Sequence, residues 1–331
     1  MSGGHREADL AARQVRAAVS RALTEATDAP VLVACSGGPD SLAMAAAASD
    51  LSKRRSLHVG AVLIDHGLQP GSDSVAATAA KQCEDLGLSP VVVESVEVVV
   101  TGSGLEAAAR DARYAALEQV ADRVGAVAVL LGHTLDDQAE TVLLGLARGS
   151  GIRSLSGMPE RRGVFVRPLL GLRRDLVAAS LPHWGLEAWL DPHNEDQSFA
   201  RVRVRRVVMP VLEQQLGPGI AEALARTARL ARMDAEAMDA WAAREFDALN
   251  STGWDVGALA DLSAAIRGRV IRTRLIDKGC PKNDLTAAHV AQVDRLITDW
   301  HGQGPLTLPG AVTATRGCGK LLVYTDSGEP H

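Results

Sequence analysis

The sequence predicts an α/β protein: a doubly wound, mostly parallel sheet followed by a smaller, mainly helical C-terminal domain. Short runs rich in Val, Ile and Leu (31–34, 57–64, 91–100 and 126–131) recur between longer stretches with helical spacing, and buried strands alternating with helices build parallel sheets. Three of those runs end in polar turns, at 35–41, at Asp65-His66-Gly67 and at Gly132-His133-Thr134. Ligands of such sheets gather at the carboxyl ends of strands. The C-terminal part rests on a nearly unbroken Ala-rich helical pattern from Ile220 to Leu249, and residues 250–300 continue helical.

Taken in order, residues 1–29 read as an amphipathic helix and a turn ending at Pro30. Val31–Ala34 and Leu57–Ile64 are buried strands by their β-branched content, Ser72–Gly87 is a helix, and Val91–Val100 holds one strand or two short ones. Leu105–Val124 is a helix with Leu105, Ala109, Leu117, Val120 and Val124 roughly on one side. Ala126–Leu131 is a further buried strand that leads into a helix running through Ala147. After Leu146 the chain is glycine- and arginine-rich and reads as irregular to about Arg206. Leu306-Thr307-Leu308 and Lys320–Tyr324 read as a small hairpin. The expected domains are 1–215 and 216–331, the second a long linking helix with a small C-terminal domain.

The 331 residues suffice for two domains and a sizeable core. Aromatics are 3%, too few for wide base-stacking platforms. No apolar run approaches the ~20 residues of a membrane span, and the charged N-terminus (Arg6, Glu7, Asp9, Arg13) has no signal-peptide core, so a cytoplasmic location without membrane partners is expected. A homo-oligomer is compatible with the composition. Cys35, Cys83, Cys280 and Cys318 form no CxxC pair, which leaves zinc-ribbon and iron–sulfur readings without support and suggests small buried residues. Net charge is −5, yet from Arg161 to Arg206 nine arginines face five acidic residues, a local excess that can bind a polyanion.

The strongest signal is the strand Val31–Ala34 entering Ser36-Gly37-Gly38-Pro39-Asp40-Ser41, from which an Ala-rich helix leaves. The first N–H groups of a helix lack intrahelical partners and the dipole favours negative charge there, so strand, glycine turn and helix in that order make an anion site. Gly37 and Gly38 allow close backbone approach to phosphate oxygens, and Ser36 and Ser41 add hydroxyls. Asp40 would repel a phosphate unless a metal sits between them. The Gly-Lys-Ser/Thr of a Walker loop is absent. An ordinary Gly-Ser turn is the plain alternative.

A second constellation, Gly132-His133-Thr134-Leu135-Asp136-Asp137-Gln138-Ala139-Glu140-Thr141, starts at a strand end and enters a helix. Asp136 and Glu140 share a face one turn apart, and Asp137 and Glu140 meet at a spacing of three. The helix dipole accounts for Asp136 and Asp137 but poorly for Glu140. Three carboxylates opposite a phosphate loop suit Mg²⁺, which prefers a few carboxylates plus phosphate oxygens.

The loop resembles the PP-loop of the ATP pyrophosphatases. Together with Gly132–Thr141 it is similar to the tRNA(Ile)-lysidine synthetase family. Downstream, Arg148–Met158, Arg167-Pro168-Leu169-Leu170 with Arg173, Asp191–Asn194 and Arg201–Arg205 resemble that family's ordered motifs, as do Glu106, Arg110, Arg113 and Tyr114 on the preceding helix. The resemblance covers about residues 30–210. Departures are Gln69 where Arg is more usual, His193 in place of Ser and Val202 in place of Asn.

The resemblance implies ATP-dependent ligation of free L-lysine to the 2-position of the wobble cytidine in the CAU anticodon of an isoleucine tRNA, through an adenylated cytidine, with AMP and pyrophosphate released. ATP and Mg²⁺ are the implied cofactors, residues 1–215 the implied PP-loop ATP-binding catalytic domain, and 216–331 the implied helper in tRNA binding. Ser36, Gly37, Gly38, Pro39, Asp40, Ser41, Arg110 and His133 are expected at ATP. Asp40 and Asp137 are expected at the metal, Asp136, Asp137, Glu140 and Arg113 in catalysis, and Arg201 and Arg205 at lysine or tRNA. Arg161, Arg162, Arg173, Arg174, Arg203 and Arg206 join Arg201 and Arg205 as candidates for RNA phosphate. A thiolase of the same fold would need paired cysteines, a small-metabolite synthetase would leave the basic stretch unexplained, and a nucleotide sensor would not need clustered carboxylates.

Overall fold

The computed structural model describes residues 2–24, 29–65, 72–97, 105–149, 151–190, 195–252 and 254–325. Helix α1 (Ser2–Ala22) precedes β1 (Val31–Ala34), α2 (Pro39–Arg55), β2 (Val59–Asp65), α3 (Ser72–Asp85), β3 (Val91–Ser95), α4 (Leu105–Val124), β4 (Ala128–Leu131) and α5 (Leu135–Ala147). The first strand lies between β2 and β4, paired in parallel with both, Val33 meeting Ala61 on one side and Leu130 on the other. From β1 the chain winds outward to β2 and β3, then returns to lay β4 on the opposite flank. That reversal makes β1/β4 the switch point of the sheet, where a crevice opens beyond the carboxyl ends of the strands.

Both faces of the sheet are covered, which is why its strands read as continuous apolar runs. Val31 and Val33 pack with Leu42, Met44, Leu63 and Leu130 on one side. Leu32 packs with Val62, Leu117, Val129 and Leu131 on the other. Helix α2 is buried from Ser41 through Ser49, and its run of alanines lets a helix so enclosed lie close to its neighbours.

The segment expected to be irregular is more ordered than its composition implies. It contains α6 (Ile152–Leu155), β5 (Arg161–Arg162), β6 (Phe165–Val166), α7 (Arg174–Ala179), a 3₁₀ turn at Leu181–Trp184 and α8 (Ala200–Arg203). Strand β6 extends the sheet in parallel beside β4, and β5 closes its edge antiparallel. Two-residue strands are too short to show a period of two, so pattern alone misses them. A π-helical turn at Val204–Val208 links α8 to α9 (Met209–Leu216), and α10 follows (Ile220–Thr252).

The chain forms two compact units, 1–230 and 231–331, the division falling within α10. The division drawn from sequence, at 215/216, precedes that helix. In the second unit, α11 (Val256–Asp261), α12 (Ala264–Asp277) and α13 (Ala287–Thr298) share a core with Trp254, Leu259, Ile266, Ile271 and Val293. The expected hairpin is a three-stranded antiparallel sheet, β7 (Leu306–Leu308), β8 (Val312–Gly317) and β9 (Lys320–Thr325), with the unforeseen β8 in the middle. Among the described residues no helix is long and apolar enough to cross a membrane. Cys35, Cys83 and Cys280 are buried as expected, whereas Cys318 is exposed in the turn between β8 and β9.

Candidate active site

At the end of β1 the loop folds over the first turn of α2. The Ser41 hydroxyl accepts from the Ser36 N–H at 3.1 Å, lies 3.2 Å from the Ser36 Oγ and donates to the Gly38 carbonyl at 3.0 Å. Gly37 holds φ +77°, a conformation glycine adopts without strain, and its carbonyl accepts from the Trp189 N–H at 3.0 Å. Pro39 starts the helix, and the N-cap Gly38 offers no side chain to its first turn, which leaves the leading N–H groups for an anion. The end of β4 approaches so closely that a Cβ on Gly132 would stand 3.1 Å from Ser41 Cα and N. Glycine there lets the two strand ends share one crevice.

The second wall is α5. Its first turn is closed by Asp137, whose Oδ2 accepts the Thr134 N–H at 2.8 Å and the Thr134 hydroxyl at 2.9 Å. Gln138 binds both backbone groups of Met158, at 2.9 and 2.7 Å, tying the glycine-rich stretch to the helix. Glu140, 1% exposed, points inward one turn later.

Four arginines converge on these carboxylates. Arg174 donates from Nη2 to Asp137 Oδ1 at 2.8 Å, from Nη1 to Glu140 Oε1 at 3.3 Å and from Nε to Asp40 Oδ2 at 3.4 Å. Its backbone N–H donates to Asp136 Oδ2 at 2.7 Å. Arg201 and Arg205 lie one turn apart on the α8–π segment and aim their Nε atoms at the two oxygens of Glu140, at 2.8 and 2.7 Å. Val202, beside Arg201, is buried. Arg173 bridges Asp136 to Glu222, at 3.1 and 2.9 Å. Burial alone would raise the Asp137 pKa, but Arg174 and Arg201 overcome it and hold the carboxyl down to about 2. Asp40, whose Oδ1 is enclosed without a hydrogen-bond partner, is pushed by burial up to about 6 against the pull of Arg174.

A third, cationic face lies beside the α5 entry. Tyr114 receives Arg167 Nη2 at 3.1 Å and Arg110 Nη2 at 3.4 Å, and Arg113 stacks 5.8 Å from its ring. Arg113 Nε, Arg167 Nε and His133 Nδ1 are buried with no partner. Burial, reinforced by Arg113, Arg167 and Arg201 against the opposing charge of Asp137, drives the His133 pKa down to about 3, so the ring is neutral. Buried polar atoms without partners are costly, and three of them on one face mark a place where an anionic group would be received.

The structure therefore brings together Ser36–Ser41, Asp136, Asp137, Glu140, Arg201 and Arg205, with Arg110, Arg113 and His133 on an adjoining face. His66, Gln69, Asp191 and His193 lie outside the described residues. Arg173, Arg174, Arg201 and Arg205, expected among the RNA contacts, are engaged by carboxylates inside the crevice, whereas Arg161, Arg162, Arg203 and Arg206 are exposed. The role of Arg174 in joining the loop to α5 and the pairing of Arg167 with Tyr114 are not legible in the sequence; Arg167 and Tyr114 stand in the motif segments and Arg174 directly follows the motif residue Arg173, which is the available signal.

Among the described residues no three His, Cys, Asp or Glu side chains are grouped to cage a metal ion. Mg²⁺ needs no such cage when one or two carboxylates are supplemented by phosphates and water. The enclosed, unpartnered Asp40 Oδ1 beside an uncapped helix start fits that kind of site.

A PP-loop domain model matches residues 11–212 and a TilS substrate binding domain model matches residues 255–321. The chain is 52% identical to the tRNA(Ile)-lysidine synthase of Thermobifida fusca, covering 94% of this chain and 97% of that one. It is 50% identical to the enzyme of Streptomyces coelicolor over 88% of this chain and 84% of that one. Among solved structures, a U34-tRNA thiolase from Methanococcus maripaludis matches with a TM-score of 0.56 at 20% identity, covering 68% of this chain and 79% of that one, a likeness of fold. On identity of this extent, together with an N-terminal PP-loop crevice and a C-terminal substrate-binding unit, the chain belongs to the tRNA(Ile)-lysidine synthase family.

Proposed function

We propose that the crevice at the β1/β4 switch point is where this chain carries out its family's reaction, and that its residues divide the work as follows. The enzyme is an ATP-dependent ligase that forms a carbon–nitrogen bond between lysine and the wobble cytidine of tRNA(Ile). Residues Ser36–Ser41 and the start of α2 receive the ATP phosphates. Arg110, Arg113 and the neutral His133 serve the adenylate end. Asp40 and Asp137 hold Mg²⁺, which supplies neutralisation of the phosphate charge.

The chemistry has two demands. The cytidine 2-oxygen is a poor leaving group until it is adenylated. The lysine ε-amine, of pKa about 10.4 in water, must lose its proton before it attacks. The guanidiniums of the crevice are matched by its carboxylates, so it is burial, which disfavours the charged form, together with a nearby carboxylate able to take the proton, that favours the neutral amine. A half-open cavity of about 180 Å³, lined by Asp136, Glu140, Arg173, Arg174, Arg205 and Met209 among others, offers guanidiniums for the lysine carboxylate and an apolar wall for its stem. Arg201 and Arg205 are held by Glu140 and can turn to that carboxylate or to an RNA phosphate.

The isoleucine tRNA with a CAU anticodon and free L-lysine are the partners this reading requires, in the cytoplasm where both are present. The convergence of Asp40, Asp137 and Glu140 on one arginine cluster beside the phosphate loop is the observation that carries it. Radiolabelled lysine with ATP should label an isoleucine tRNA with a CAU anticodon and leave methionine tRNAs with the same anticodon unlabelled. EDTA should abolish labelling and Mg²⁺ restore it. AMP formation with a small acceptor and no labelled tRNA would overturn the reading.

A further inference from the structure

Arg174 is the only residue, among those described, whose side chain hydrogen-bonds both Asp40 and α5. Its three guanidinium nitrogens go to three different carboxylates, Asp40, Asp137 and Glu140. Glu140 keeps Arg201 and Arg205 without it, and Asp137 keeps Arg201 and the Thr134 donors. Asp40 has no other hydrogen-bonding cation among the described residues, and its second oxygen is already without a partner. Taking the Arg174 side chain away would leave Asp40 and Asp137 facing each other with a gap in counter-charge between them. A guanidinium pairs at least as well with phosphate as with carboxylate, so an incoming triphosphate offers Arg174 a competing partner at the same crevice.

We propose that Arg174 is a resident counter-cation: without nucleotide it bridges Asp40 to Asp137 and keeps free divalent metal out, and when ATP arrives it exchanges onto phosphate and releases the two carboxylates to the metal. The inference rests on the assignment of Asp40 and Asp137 to Mg²⁺. Metal entry is then tied to nucleotide entry by charge exchange, since a guanidinium held between the two carboxylates repels a divalent cation drawn to the same pair. Arg174 acts here as a positioning residue.

The test is binding of Mn²⁺ alone, followed by the loss of its free spin-resonance signal, to the full chain without nucleotide. Wild type should bind weakly. Arg174→Met, which keeps the stem and removes the charge, should bind about tenfold more tightly or better, the scale expected for one partly buried charge. Mn²⁺ should also raise the melting temperature of Arg174→Met far more than that of wild type. If Arg174→Met cannot be folded, Arg174→Lys serves instead: a single ammonium cannot reach three carboxylates, and an intermediate Mn²⁺ affinity is expected. Equal affinity in wild type and variant would overturn the exchange. Tight binding that persists in Arg174→Met/Asp40→Asn would place the ion elsewhere and overturn the metal assignment itself, so the two failures are distinguishable.

Discussion

In residues 1–230, Arg174, Arg201 and Arg205 reach carboxylates 34 to 134 positions away in sequence, and Glu140 and Asp137 each form ion pairs with all three. In residues 231–331 the arginines behave differently. Arg267 meets Asp294 at 2.6 Å and staples the Leu262 and Ala260 carbonyls at 2.7 and 3.3 Å. Arg272 donates to the Leu285 and Lys282 carbonyls, and Arg316 to that of Leu296. Where arginines of the second set meet carboxylates of other helices they do so one to one, Arg267 with Asp294 and Arg269 with Asp239, and their other bonds satisfy backbone carbonyls, which is structural support. The first set crowds several guanidiniums onto the same carboxylates, and such shared bonds can be exchanged for those of an anionic substrate.

The contrast is broken most strongly at Glu140. Glu140→Gln leaves Arg201 and Arg205 facing a neutral amide in an enclosed place. Unpairing a buried ion pair costs about 3 kcal/mol, and removing one preorganised charge slows turnover by about 10²–10³-fold. Denaturant unfolding and single-turnover lysine transfer should show both losses together.

Arg267→Met should separate stability from chemistry. Its side chain is buried and paired, so unfolding should become easier by about 3 kcal/mol. The affinity for a non-hydrolysable ATP analogue should stay at the wild-type value, because the PP-loop domain spans residues 11–212. A parallel fall in analogue affinity would show that the two sets of arginines are not distinct.

A smaller effect is expected at the exposed Arg161 and Arg162 of β5. Neutralising both should weaken tRNA binding and lower the slope of log affinity against log salt by up to about 2, roughly one counterion for each phosphate that an arginine no longer neutralises. ATP affinity should not change. An unaltered salt slope would exclude this edge from RNA binding.

Much of the fold and part of the site are legible in the sequence. The glycine turn after Val31–Ala34 and the Thr134–Glu140 helix start can be read because each is local: strand, turn and helix follow one another within a dozen residues. Helix α4 is legible to its bounds from its apolar spacing. What pattern cannot reach is non-local or too short. Strand β8 hides between glycine turns, and β5 and β6 have two residues each. Arg173 and Arg174 look like a basic surface pair because nothing in their neighbourhood announces Asp136, Asp137 or Asp40, up to 134 residues earlier. His133 cannot be told from an ordinary strand-end histidine until its Nδ1 is seen enclosed without a partner.

On the reading proposed above, the carboxylates gathered by these arginines are catalytic and not merely helix-start charges. Asp137→Asn tests it most directly, since the amide oxygen can still accept from the Thr134 N–H while the negative charge between Arg174 and Arg201 is gone. Pyrophosphate release and lysine incorporation should be followed in one reaction with tRNA(Ile), alongside a melting curve. The variant should stay folded while turnover falls by about 10²-fold or more. A folded Asp137→Asn enzyme that releases pyrophosphate and incorporates lysine at close to the wild-type rate would contradict that reading.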